Sequence, residues 1–99
     1  MIRHVVMWKL GSSDPTERKE HAAGIRQRLE SLVGIVPGLE SLRVLADVGS
    51  TPGNWDVLLI SDHADEAAVD EYQTHPEHLA AAAWVKTVVQ SRACVDGVV

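Results

Sequence analysis

The run at residues 2–10, IRHVVMWKL, is rich in β-branched and aromatic residues, ends at Gly11, and reads as a strand. Along it His4, Val6 and Trp8 fall on one face and Val5 and Met7 on the other, so neither face is polar. A strand of this kind needs cover on both sides. The same alternation recurs at residues 55–63, WDVLLISDH, where Val57 and Leu59 oppose Leu58 and Ile60. Any fold for this chain must therefore supply two apolar partners to one sheet.

The remaining segments say where the first partner comes from. After Gly11, Asp14 is placed to cap a helix, Pro15 suits its first position, and Glu17 completes a capping box. Ala22, Ile25, Leu29, Leu32 and Val33 then recur at helical spacing, and Gly34 is the expected terminator. Gly24 interrupts this helix at a cost of about 1 kcal/mol relative to alanine. Residues 39–48 form a second strand-like run, joined to 55–63 by the turn-rich GSTPGN. That loop lacks any phosphate-binding spacing and reads as a hairpin connection.

Asp65 can cap a short helix, EAAVDEYQT, with Ala68, Val69 and Tyr72 on one side. Pro76 ends that helix and suits the first position of the next, so THPEH is a corner between two helices. The second piece is expected to run through Gln90, with residues 92–99 as a closing strand. The order is β-α-β-β-α-β, an α+β ferredoxin-like arrangement with a four-stranded antiparallel sheet and a broken second helix. Its helices cover one face only. The other face predicts a homodimer packed sheet against sheet.

At 99 residues with 45% hydrophobic content, the chain has material for one domain, 1–99. The net charge is −5, and the nine Lys and Arg are spread along the chain, which argues against nucleic-acid binding. No segment resembles a signal peptide or reaches the roughly 18 apolar residues of a membrane span, so no membrane association is expected and the expected location is cytoplasmic. The single cysteine, Cys94, excludes an internal disulfide framework and is expected as a buried, inert strand thiol.

Chemistry concentrates at YQTHPEH, residues 72–78. With Pro76 first in its helix, His78 lies in the first turn, where the positive end of the helix dipole disfavours imidazolium. A neutral imidazole is a general base, and Tyr72 could donate a hydrogen bond to a developing oxyanion. His4, on the helix-covered face of the first strand with Val6 and Trp8, joins this cluster, and Val57 and Leu59 of the third strand and His75 at the corner complete the expected pocket. A structural reading stands beside this one: His75 caps a helix, Tyr72 is core, and His4 is a satisfied core histidine. An H-x-x-H pair formed by His75 and His78 is a weak metal signal without a third ligand. His21 and His63 are assigned no chemistry.

The opening MIRHVVMWKL, the segment GIVPGLESLRV, and above all DEYQTHPEH followed by RACVD resemble the stress-responsive A/B barrel (Dabb) family of the dimeric α+β barrel superfamily. The resemblance spans nearly the whole chain and implies a ferredoxin-like fold and a dimer that joins two sheets into a barrel. It also implies a pocket for a small organic ligand. In a plant polyketide cyclase of the family, a tyrosine and a histidine at this corner drive an intramolecular aldol condensation, and they match Tyr72 and His78. The first-strand histidine matches His4. A third-strand histidine falls at Val57 and a helix tyrosine near Leu29, so this pocket is more apolar. The implied activity is that of a cofactor-independent cyclase or lyase; the alternatives are a non-catalytic stress-response or ligand-binding dimer and a cofactor-free monooxygenase. No organic cofactor is expected. Some relatives hold a structural divalent cation on backbone carbonyls that match Val33, Val36 and Leu39.

Overall fold

In the computed structural model, which describes residues 1–99, the elements are β1 (Ile2–Leu10), α1 (Pro15–Glu30), β2 (Leu39–Ala46), β3 (Val57–His63), α2 (Glu66–Thr74), α3 (Pro76–Val88) and β4 (Val89–Val98). The strands form one antiparallel sheet in the order β2-β3-β1-β4. This is the ferredoxin-like split βαβ arrangement expected from the segment order.

Local chemistry explains the boundaries. Asp14 accepts the Glu17 amide at 2.9 Å and starts α1. The expected capping box is not reciprocal, because Ser12 intervenes: its hydroxyl accepts the Asp14 amide at 3.1 Å and donates to the Glu17 carboxylate at 3.4 Å. The helix ends at Glu30 rather than near Gly34, and Leu32 and Val36 enter the core from turns in which Gly34 takes a φ of 88°. At the other end of the chain the strand starts earlier than expected. Val88 and Val89 are both β-branched, α3 stops at the first of them, and Val89 already pairs with Leu10.

Gly24 has a packing role. A Cβ there would overlap the Trp84 ring, so the glycine lets α3 lay Trp84 across α1. Arg28 covers the same ring from 3.9 Å. Gly38, at φ 80°, lets the α1–β2 connection pass under α2, where a Cβ would stand 2.6 Å from that of Ala68.

The core lies between the three helices and one face of the sheet, built on Val6, Trp8, Val44 and Leu59 from the strands and Ile25, Leu29 and Val85 from the helices. The opposite face carries no helix. Cross-strand partners there are Val95, Val5, Ile60 and Arg43 in one row and Ala93, Met7, Leu58 and Leu45 in the next. Met7 is 40% exposed, Leu45 47% and Val95 72%, so an apolar band crosses all four strands uncovered.

Candidate functional site

Sheet register and the helix corner bring four aromatic side chains together. His4 pairs with Ser61 on β3 and Asp96 on β4, and its ring is buried. Tyr72, 1% exposed, descends from α2 with its ring centroid 6.0 Å from that of His4 and 4.9 Å from that of His63. His78, in the first turn of α3, lies 4.2 Å from Tyr72, centroid to centroid, at an interplanar angle of 45°. Pro76 makes this contact: it stops α2 from continuing and restarts the chain so that residues 72 and 78 meet on the inner side.

A cavity of about 530 Å3 opens beside this cluster. His4, Val6, Trp8, Leu29, Leu59, Tyr72 and His78 all line it. Val57 and His75 do not. Val57, the first residue of β3, is packed into the hydrophobic core instead. His75 is the cap of α3, its Nδ1 accepting the Glu77 amide at 3.1 Å. That bond uses the ring for structure.

The protonation states suit acid–base chemistry. Burial pushes the His78 pKa below the ordinary histidine value; the hydrogen bond to the Gln73 carbonyl opposes this, and nearby positive groups reinforce it. Desolvation is the largest of these causes. Nδ1–H donates to the Gln73 carbonyl at 3.3 Å, which leaves the Nε2 lone pair of the neutral ring available. Tyr72 shifts the opposite way, because burial raises the phenol pKa and only the charge of Arg92 opposes it. It remains a hydrogen-bond donor at any physiological pH.

Two features were not evident in the sequence. His63, read there as a strand end, is fully buried, shares a hydrogen bond of 2.9 Å with Ser61, and leaves its Nδ1 without a partner. The period-two pattern of β3 contained the signal, since Leu59, Ser61 and His63 share one face. Asp96 is the other. Its carboxylate accepts a hydrogen bond from His4 Nδ1, fixing the tautomer of that ring. Only the β1–β4 register places the two together. Cys94 is exposed rather than buried, 3.5 Å from His4 Nδ1, because it lies on β4, an edge strand with no neighbour on its outer side. The ligand atoms of His4, Cys94 and Asp96 lie within 4.8 Å of one another, but a metal there would have to displace the His4–Asp96 bond.

Val33, Val36 and Leu39 lie in and after the turn that follows α1, away from the cavity lining. The Val36 carbonyl accepts the Leu39 amide at 3.3 Å, and no cluster of three acidic, imidazole or thiol side chains occurs at this turn.

The stress responsive A/B barrel domain family matches residues 2–99. The chain belongs to this family. Among solved structures, this Dabb domain is similar to a dimeric protein of unknown function with a ferredoxin-like fold from Bacteroides fragilis, at 31% identity and a TM-score of 0.85, covering 97% of this chain and 93% of that one. A dimeric ferredoxin-like protein of unknown function from Thermobifida fusca is 26% identical, with a TM-score of 0.84, covering 99% and 90%. A hydroxynitrile lyase from Passiflora edulis shares the fold at 15% identity and a TM-score of 0.79, covering 99% and 92%. No curated protein matches this chain. No helix in it is long and apolar enough to cross a membrane.

Proposed function

We propose that this Dabb domain is a homodimeric, cofactor-independent enzyme that works through an enolate, with His78 as general base and Tyr72 as oxyanion donor. The observation that carries the reading is the Tyr72–His78 pair: a neutral imidazole with Nε2 free and a protonated phenol, their ring centroids 4.2 Å apart, on the wall of one largely apolar cavity. Nε2 removes a proton from carbon next to a carbonyl, and the electron pair moves onto the carbonyl oxygen, where the phenol donates to it. The enolate carbon then attacks a second carbonyl in the same molecule, or a β-leaving group departs. The imidazolium returns its proton to the product. Cyclase and lyase outcomes differ only in that second step.

The dimer is supported by the uncovered apolar band and by the dimeric state described for the relatives from Bacteroides fragilis and Thermobifida fusca. The test is hydrogen–deuterium exchange next to the carbonyl of hexyl methyl ketone, followed by NMR. Exchange above the buffer rate that disappears in His78→Ala, with the oligomeric state unchanged, supports the reading. Exchange undiminished in His78→Ala overturns it, and saturable binding without exchange assigns the cavity to ligand binding alone.

A further inference from the structure

The charges at the cavity run against those of the protein. The chain carries a net charge of −5, yet the cavity lining includes no Asp or Glu, and its charged members are Lys86 and Arg92. Lys86 sits in the last turn of α3, where the helix C-terminus stabilises a cation in any case. Arg92 lies on β4 and has no such explanation.

The other arginines are all engaged. Arg3 pairs with Asp62, Arg18 with Asp56, and Arg26 and Arg43 with Glu30, while Arg28 lies over the Trp84 ring. Arg92 alone has no carboxylate or aromatic partner, and it faces the cavity. It is also close to the reacting groups. Burial raises the Tyr72 phenol and lowers His78, and the positive charge of Arg92 acts on both. Its guanidinium reaches the Cys94 thiol but no carboxylate, and an exposed guanidinium of this kind above an apolar cavity is suited to the planar, bidentate recognition of a carboxylate.

We propose that the substrate is an apolar oxo acid, its carbonyl seated at Tyr72 and His78 and its carboxylate held at the mouth of the cavity by Arg92, with Lys86 in support. This rests on the enolate reading above and adds the substrate class. The interior is walled by Val6, Trp8, Leu29 and Leu59 and suits a hydrocarbon body between the two polar ends.

Two measurements test it. Calorimetry compares octanoate with octanamide, which share a chain and differ in charge, on the whole protein. Octanoate binds about tenfold more tightly at low salt, and the ratio falls towards one in Arg92→Gln, is partly kept in Arg92→Lys, and shrinks at high salt. Exchange kinetics then compare hexyl methyl ketone with the oxo acid of equal length that carries a carboxylate at its far end. The oxo acid has the higher kcat/KM, and Arg92→Gln removes that advantage mainly through KM. Equal binding of octanoate and octanamide, or a ratio untouched in Arg92→Gln, overturns the proposal even if ketone exchange proceeds. Charge-selective binding without exchange of either ketone keeps the anion site and rejects the enolate chemistry. No saturable binding of either probe rejects both.

Discussion

Across the break at Pro76, the rings of Tyr72 and His78 meet at 4.2 Å with a 45° tilt. Neither helix alone could produce this contact. The proline stops one helix and starts the next, and the imidazole swings back against the phenol with its Nδ1–H on the Gln73 carbonyl. The pair is therefore held by backbone geometry that single side-chain changes leave intact.

Removing either group should separate chemistry from folding. His78→Ala is expected to abolish exchange at the carbon next to the carbonyl. Tyr72→Phe keeps the ring packing and removes the donor, which should lower kcat by about 100-fold to 1,000-fold, the usual loss for one oxyanion contact. Steady-state exchange rates check both, and light scattering confirms that the oligomer is unchanged. A Tyr72→Phe variant with wild-type kcat would show that the hydroxyl takes no part.

The pH profile follows from His78. Burial holds its pKa below the ordinary value of 6.5, so the neutral, basic form persists into mildly acid solution. The acid limb of kcat/KM should have its midpoint below pH 6.5, and the rate should stay level as pH rises to neutral. A midpoint above that value would place the base elsewhere.

Much of this arrangement could be read from the sequence because it depends on local signals. Asp14, Asp65 and Pro76 fix where helices begin, and the alternation in β1 and β3 fixes which residues face the helices. The parts that could not be read depend on contacts between distant segments. The cap at His75 is one of two readings open in the sequence, and the Glu77 amide on its ring decides for the cap over the cavity wall. Asp96 meets His4 only through strand register, and Val57 is taken up by the core rather than by the cavity wall. Gly24 looked like a defect in α1 because its reason, Trp84, lies on another helix.

Stability should also depend on pH, through His63 as well as His78. Both have folded-state pKa values below the unfolded value of 6.5, His63 chiefly through burial. Above pH 6.5 both states are neutral and the full stability is present. As pH falls below that value the unfolded chain takes up protons first, and stability is lost until the folded-state values are passed. Melting temperatures recorded between about pH 5 and pH 8 should fall on the acid side, and the fall should be smaller in His63→Leu. An identical slope in that variant would remove His63 from the account.

Gly24→Ala tests the crossing of α1 and α3. Helix propensity alone favours alanine by about 1 kcal/mol. Against this, the new methyl group enters the space of the Trp84 ring, and overpacking of this kind costs about 1–3 kcal/mol. The variant should therefore be no more stable than the parent, with a lower urea midpoint. Gly24→Ala combined with Trp84→Leu should recover part of the loss, because the smaller side chain frees the volume. A stabilised single variant would mean that Trp84 moves aside at little cost.

The uncovered sheet face gives the last test. Met7 lies on an inner strand between Leu58 and Ala93, at the centre of the apolar band, and is 40% exposed. Lysine at this position is tolerated by a monomer, since the long side chain reaches water over its neighbours. In a dimer packed through this face the same charge is buried without a partner, which costs several kcal/mol and should raise the dissociation constant at least about 100-fold. Met7→Lys should therefore run as a monomer in light scattering at concentrations where the parent is dimeric, with an unchanged circular dichroism spectrum. A variant that remains dimeric would show that the copies associate through another surface and leave the band between Val95 and Leu45 without a role in assembly.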